Sequence, residues 1–358
     1  MPDGIGKKME ETLYSGYIAE GKKTSEFQER VAGFIDNPRV ALVNSGTTAL
    51  QIAYHISKVG AGDEVISTPL TSIATNVPIL HMGAKPIWAD VDPMTGISDI
   101  KDIEKLINKK TKAIVILHKD GDIGNLHEFV ALAEHYKLPL IEDAAHAFGA
   151  SYAGQKIGNH GDFICFSFQA IKHNTTGDGG ALACKYEDDY DFAKKLKWFG
   201  VDHDKIAGRN PWMDDIKIPG YKGNMNDIAS TIGIEQIKNI EWIIERFHAN
   251  GEYYSRLLND IPGVTVLRRN PSAYSSYWTY TFLSEKRDAL TSNLNDLGIG
   301  AALVHPRNDI WSIFSESKRE LPNVDYFTSR ELSIPSGWWV EKEDVEMICD
   351  RIRQFHNN

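Results

Sequence analysis

Short apolar runs alternate with longer amphipathic ones over the first half of the chain. Val40–Val43, Glu64–Ser67, Pro86–Ala89, Ala113–Leu117, Leu138–Glu142, Phe163–Ser167 and Ala181–Cys184 have strand length and are largely apolar along their whole extent. Between them, Thr48–Lys58, Ile100–Ile107 and Leu126–Tyr136 carry apolar residues at helical spacing. This alternation predicts an α/β fold with a mostly parallel central sheet covered by helices. The last two strands are close in sequence, which predicts an antiparallel pair at one edge.

After Gly180 the pattern changes. Phe199 to Asn226 is loop-rich, with Gly208, Pro211, Pro219, Gly220 and Gly223 and no clear period. A long helical pattern runs from Asp227 to Leu258, with Ile237, Ile240, Ile243 and Phe247 at helical spacing. The remainder reads as a smaller α+β unit: strands Val264–Leu267, Trp278–Leu283 and Gly300–Val304, and helices Arg287–Leu297 and Lys342–Phe355. The expected division is a large domain over residues 1–240 and a small C-terminal domain over 241–358.

Composition narrows the function more than the fold. The chain has 358 residues, 42% hydrophobic and 25% charged, with a net charge of -10. That balance is globular, and the negative charge argues against general binding to nucleic acid or an anionic membrane. No apolar stretch approaches the length of a bilayer span, and no apolar run comes after the first lysines as a signal peptide requires. Cys165, Cys184 and Cys349 are odd in number and widely spaced, so neither a disulfide framework nor a metal site is expected. Buried thiols of a cytoplasmic protein are the expectation.

Three segments carry chemistry. In Phe166-Ser167-Phe168-Gln169-Ala170-Ile171-Lys172, a lysine comes soon after a short apolar strand, and Thr175, Thr176 and Gly177-Asp178-Gly179-Gly180 come next. A lysine in partial burial beside other positive groups has a lowered pKa and attacks an aldehyde as the neutral amine. Asn44-Ser45-Gly46-Thr47-Thr48 comes after a strand and opens a helix, where hydroxyls and free N–H groups form a phosphate cradle; an ordinary helix cap has the same composition. Ile141-Glu142-Asp143-Ala144-Ala145-His146 places acids and a histidine at a strand's carboxyl end, where open α/β sheets bind ligands. An aspartate there can keep a pyridine nitrogen protonated, or simply cap a helix.

Together, in this order, these segments resemble the DegT/StrS-type sugar aminotransferases, fold-type I pyridoxal-phosphate enzymes that act on nucleotide-linked keto-sugars. The similarity extends from Tyr17-Ile18-Ala19-Glu20-Gly21, through Gly62-Asp63-Glu64-Val65-Ile66 and Gly220-Tyr221-Lys222-Gly223-Asn224-Met225-Asn226-Asp227, to Leu332-Ser333-Ile334-Pro335. The resemblance implies that Lys172 carries pyridoxal 5'-phosphate as a Schiff base and that Asp143 pairs with the ring nitrogen. It implies that Gly46, Thr47, Thr48 and Ser167 hold the phosphate and that His146 lies near the phenolic oxygen. It also implies that Lys222 and Asn224 reach into the partner's site of a homodimer. His305 and Arg307 match a loop near the sugar, Arg307 suiting a diphosphate or a carboxylate.

Two departures stand out. Thr71-Ser72-Ile73-Ala74 has Ser72 where the family stacks an aromatic on the ring, and His118-Lys119-Asp120-Gly121-Asp122-Ile123-Gly124 lacks the family's proline. A dehydratase branch of the family has histidine in the lysine's place; here the slot holds Lys172. The implied activity is transfer of an amino group from L-glutamate, by way of pyridoxamine phosphate, to C4 of a nucleotide-linked 4-keto-6-deoxyhexose in amino-sugar and polysaccharide biosynthesis. The alternatives are a 3-keto substrate, a pyridoxal-phosphate-dependent dehydratase and a non-catalytic amino-sugar sensor.

Overall fold

The computed structural model describes residues 1–201, 210 and 215–357. Gly208 and Pro211 of the loop-rich segment lie outside them. Seven strands form the main sheet: β1 (Val40–Val43), β2 (Glu64–Ser67), β3 (Lys85–Trp88), β4 (Thr111–Leu117), β5 (Leu140–Asp143), β8 (Phe163–Ser167) and β9 (Gly180–Cys184). Their order is β1-β9-β8-β5-β4-β2-β3. β8, β5, β4, β2 and β3 are successive parallel neighbours, whereas β9 runs antiparallel to both β8 and β1. The antiparallel strand expected at an edge therefore sits one strand in, and β1 closes the sheet.

Burial on both faces explains the continuous apolar runs. On one face Val40, Leu42, Ile114, Ile116, Ile164 and Phe166 pack against α2 (Lys22–Ile35), α6 (Leu126–Tyr136) and α8 (Asp227–Ile237). On the other, Ala41, Val43, Ala113, Val115 and Cys165 pack against α3 (Gly46–Ile56) and α7 (Glu187–Leu196). The alternation is the period-2 geometry of a strand with two buried sides.

The long helical pattern is two helices, α8 and α9 (Ile240–Leu258), separated at Lys238–Asn239. Ile240 and Ile244 of α9 belong to the main core, while Tyr254 and Leu258 belong to a second core. That core covers an antiparallel sheet of β10 (Val264–Val266), β12 (Tyr280–Ser284) and β13 (Glu331–Ile334), under α10 (Arg287–Asp296) and α12 (Lys342–Asn357). The strand expected over Gly300–Val304 reduces to a single bridge, Ala302 to Ser333, and β13 takes the place beside β12. A third sheet pairs β11 (Ala273–Tyr274) with the hairpin β6 (Ser151–Tyr152) and β7 (Gln155–Lys156). All three cysteines are free and buried.

Two distant motifs meet in space. The Asp227 carboxylate accepts from Gly21 N (2.8 Å) and from Thr24 N and Oγ1 (2.9 and 2.8 Å), so it fastens the start of α2 to the start of α8. A charged cluster joins the main sheet to the C-terminal sheet. Lys119, in the turn after β4, contacts Glu331 of β13 at 2.6 Å and Asp120 at 3.4 Å, all buried. Burial pulls the Lys119 amine down, but the two carboxylates outweigh it and hold it above its ordinary value. Replacing Lys119 by methionine strands two buried carboxylates and is expected to lower stability by about 3–5 kcal/mol in chemical denaturation. Glu331→Gln should cost less, because Asp120 still faces the amine.

Candidate active site

The carboxyl ends of β1, β4, β5 and β8 face the same side, and β9 begins among them. Val43 and Ser167 both pair with Gly180. α3 starts directly after β1, capped by Ser45, whose Oγ accepts Thr48 N at 3.1 Å. Backbones approach so closely here that side chains are excluded. A Cβ on Gly180 would lie 2.6 Å from Gly46 N, and one on Gly46 would lie 3.0 Å from Ser167 Cβ. A cavity of about 300 Å³ opens beside this crossing, lined by Gly46, Thr47, Ser72, Asp143, His146 and Ser167 together with Lys172 and His305.

Asp143 ends β5 and is buried. Its Oδ2 accepts from Thr75 Oγ1 at 2.6 Å and its Oδ1 from Ala145 N at 3.1 Å. Thr71 and Thr75 hydroxyls are 2.6 Å apart, one turn apart at the start of α4 (Ile73–His81). Burial raises the Asp143 pKa, against the pull of Thr75, Ala145, Lys172 and His118. A cation at the carboxylate would relieve that cost, as a protonated ring nitrogen does. The neighbouring Glu142 points elsewhere, to His118 Nε2 at 2.6 Å.

Lys172 lies in the turn after β8, half-buried. Burial lowers its pKa to about 8, while Asp143 and Asp120 push it back up. The positive neighbours expected from the sequence are not what lowers it. The surrounding imidazoles are neutral: burial brings His305 to about 4 and His173 to about 3, and holds His146 well below its usual value. Of these amine and imidazole groups, Lys172 should therefore be the one that titrates near neutrality. Its amine is charged below about pH 8 and nucleophilic above it. Acetic anhydride labelling of Lys172 in protein free of bound ligand, read by peptide mass spectrometry, should show one inflexion near pH 8. A second inflexion between about pH 5 and 7 would mean that an imidazole there titrates normally.

Several sequence-selected residues stand apart from the cavity. The Thr48 hydroxyl is spent on Asn44 Oδ1 (2.6 Å) and Ser45 Oγ (2.9 Å), so of this adjacent pair Thr47 is the one on the cavity wall. Arg307 presents its fork to Asp309, at 2.7 Å twice, and also pairs with Asp325. Its donors therefore face carboxylates of its own chain rather than open space. Lys222 is exposed, with Nζ 2.7 Å from Asn224 Oδ1, and neither residue lines this cavity. Ser72 caps α4, its Oγ accepting Ala74 N at 3.3 Å. Among the described residues no phenylalanine, tyrosine or tryptophan lines the cavity; its rings are His146 and His305. Sequence reading missed Thr75 and Gln169; the Thr71/Thr75 spacing at a helix start was the available signal for the first.

The cavity fits a flat ring with a phosphate tail. It has a helix N-terminus with Thr47 and Ser167 hydroxyls at one wall, a buried carboxylate, an amine, and two buried imidazole nitrogens, His146 Nδ1 and His305 Nε2, without hydrogen-bond partners. That donor set is the one a lysine-anchored pyridoxal-phosphate enzyme needs. Comparison with known proteins is consistent with it. Residues 3–353 match the DegT/DnrJ/EryC1/StrS aminotransferase family. The GDP-perosamine synthase of Escherichia coli O157:H7 is 31% identical, over 100% of this chain and 98% of its own. The UDP-4-amino-4-deoxy-L-arabinose–oxoglutarate aminotransferase of Shewanella sediminis is 30% identical, over 97% and 94%. The crystal structure of the sugar aminotransferase CalS13 from Micromonospora echinospora superposes with a TM-score of 0.94 at 31% identity, covering 99% of this chain and 97% of that one. The protein Spr1654 from Streptococcus pneumoniae, 25% identical over 100% of this chain and 97% of that one, superposes with TM-scores of 0.93 in its PMP form and 0.92 in its PLP form. The chain belongs to the DegT/DnrJ/EryC1/StrS aminotransferase family and is a pyridoxal-phosphate-dependent sugar aminotransferase.

Proposed function

We propose that this enzyme moves an amino group from L-glutamate to C4 of a nucleotide-linked 4-keto-6-deoxyhexose. The observation that carries the reading is the Lys172 amine, its pKa brought to about 8, on the wall of a cavity that also holds the Asp143 carboxylate. The relatives' names support the finer choice: one protein makes GDP-perosamine, and another is named for a 4-amino sugar and oxoglutarate. Room supports it too. A cleft of about 1130 Å³ adjoins Lys172, walled by Trp242, Phe247, Trp278, Trp338 and Trp339.

When bound, pyridoxal phosphate supplies the electron sink that makes the bonds at the amino-bearing carbon labile. This chain's groups do the rest. Thr47, Ser167 and the start of α3 hold the phosphate, and Asp143 holds the ring nitrogen protonated. Lys172 Nζ anchors the cofactor, and when free takes a proton from the donor's α-carbon and later delivers one to the sugar carbon. His146 and His305, both neutral, offer hydrogen bonds without adding charge. The Lys222–Asn224 segment, of which Lys222 is exposed, serves the partner's site in a homodimer, and the chain divides near residue 240 into cofactor-binding and smaller domains.

The test is a panel of 3-keto and 4-keto sugar nucleotides, each incubated with glutamate, with products identified by mass and NMR. A 4-amino sugar formed in step with 2-oxoglutarate is expected. Amination confined to 3-keto substrates would contradict the C4 assignment. Sedimentation should show a dimer, and a mixed dimer of Lys172→Ala with Lys222→Ala subunits should report whether the segment acts across the interface.

A further inference from the structure

Trp278, on the wall of the large cleft, is held by its backbone, its indole N–H and its ring. Its backbone N–H donates to Asp120 O at 2.8 Å, and its indole N–H donates to Ile171 O at 2.8 Å, the carbonyl just before Lys172. One ring contact is His146, nearly parallel at 12° and 3.9 Å. Lys172 Nζ lies over the indole ring, 3.9 Å from its centroid. The residue before it, Tyr277, has φ 42°, a left-handed backbone that costs a residue with a Cβ. Surrounding contacts hold it there. Tyr277 OH donates to Glu252 Oε1 at 2.6 Å, Tyr277 O accepts from Ser336 Oγ at 2.7 Å, and Gly251 leaves room where a Cβ would lie 2.3 Å from the ring. These contacts hold the turn from which the Trp278 side chain projects.

We propose that Trp278 is a positioning residue for the Lys172 amine: its face receives the ammonium whenever that nitrogen has no covalent partner, and its indole N–H pins the backbone that presents it. A lysine side chain has many rotamers and would otherwise swing toward solvent after each release. An aromatic face attracts the cation without a formal charge, so it parks the amine without trapping it as a carboxylate would. The role does not include covering the cofactor ring on the Ser72 side, because Trp278 does not line the cavity that holds Ser72. The charged and titratable groups facing Lys172 are Asp143 at the end of β5, Asp120 after β4, His146, His173 and His305, with Lys119 beyond the last. Trp278→Leu alters none of these groups itself but takes away the ring stacked on His146, whereas Trp278→Phe keeps an aromatic face there.

The inference rests on Lys172 being the cofactor-bearing amine, but its test does not need the cofactor. Full-length protein stripped of cofactor is labelled with acetic anhydride from about pH 6 to about pH 10 for wild type, Trp278→Phe and Trp278→Leu, and Lys172 is tracked by peptide mass spectrometry. Losing the aromatic face should lower the labelling midpoint by about half to one pH unit in Trp278→Leu, which raises the neutral fraction of the amine at about pH 7 by roughly twofold to fivefold, with Trp278→Phe between it and wild type. In the loaded enzyme Trp278→Leu should lower kcat by a similar factor, roughly twofold to fivefold, with KM for glutamate within about twofold. Thermal unfolding of each variant separates this from a loss of fold. A labelling midpoint that is unchanged, or that moves up in Trp278→Leu, overturns the proposal. Failure of Lys172 to carry the cofactor would instead overturn the functional reading, and would be seen separately by reductive trapping.

Discussion

Lys172→Ala is expected to abolish amino transfer, with a loss of at least about 10³-fold in kcat, while the protein keeps its fold. The lysine supplies both the covalent anchor and the base, and no other amine lines the cavity among the described residues. The substitution should leave folding intact, because Lys172 forms no ion pair among the described residues and sits half-buried in a turn. Circular dichroism and thermal unfolding check the fold, and single-turnover kinetics with glutamate check the chemistry. Added methylamine should restore part of the rate if the missing function is a proton carrier. Turnover near the wild-type rate would remove Lys172 from the mechanism.

Asp143→Asn should have the second largest effect, about 10²-fold to 10³-fold in kcat, together with weaker cofactor binding. The amide keeps the shape and can still meet Thr75 and Ala145, whose hydrogen bonds orient the native carboxylate. It cannot hold a positive charge on the ring nitrogen, and a neutral ring is a poor electron sink. The buried carboxylate already has a raised pKa, so it gains more from a cationic partner than an exposed one would. Removing it therefore forfeits a charge pair in a dry site. A rate within about twofold of wild type would show that the ring nitrogen is served by another group.

The sequence exposed the large sheet well because its strands are buried on both faces. Val40–Val43, Glu64–Ser67 and Phe163–Ser167 begin and end where the apolar runs do. The break between α8 and α9 was hidden because Lys238–Asn239 carries neither glycine nor proline, and apolar spacing continues across it. It is imposed by packing, since the second helix must leave one core and enter another. β13 was missed for a related reason: Glu331 and Ser333 alternate with Leu332 and Ile334, yet all four are buried. Glu331 is inside because Lys119 meets it from a segment 212 residues away in sequence, and no local pattern reports such a pair.

The candidate site was legible where chain order placed chemistry at strand ends: Asp143, Ser167 and Lys172 lie around one cavity. It was illegible where only direction mattered. Thr47 and Thr48 are adjacent and chemically alike, but one lines the cavity and the other bonds back to Asn44. Arg307 has the right chemistry for an anion and is engaged by Asp309 two residues on. The family-like segment without its proline has a physical use: the buried Asp122 pairs with the half-buried Arg269 at 2.9 Å, and Gly121 O accepts Ser276 N at 3.1 Å. Those contacts fasten the turn that carries Tyr277 and Trp278.

Reductive trapping tests the central claim most directly. The purified holoenzyme is treated with borohydride, digested, and its peptides mapped by mass. The expected result is the reduced coenzyme attached to the peptide containing Lys172, with Lys172→Ala protein unlabelled. A coenzyme left free, or fixed to a different lysine, would contradict the assignment of this amine and the mechanism built on it.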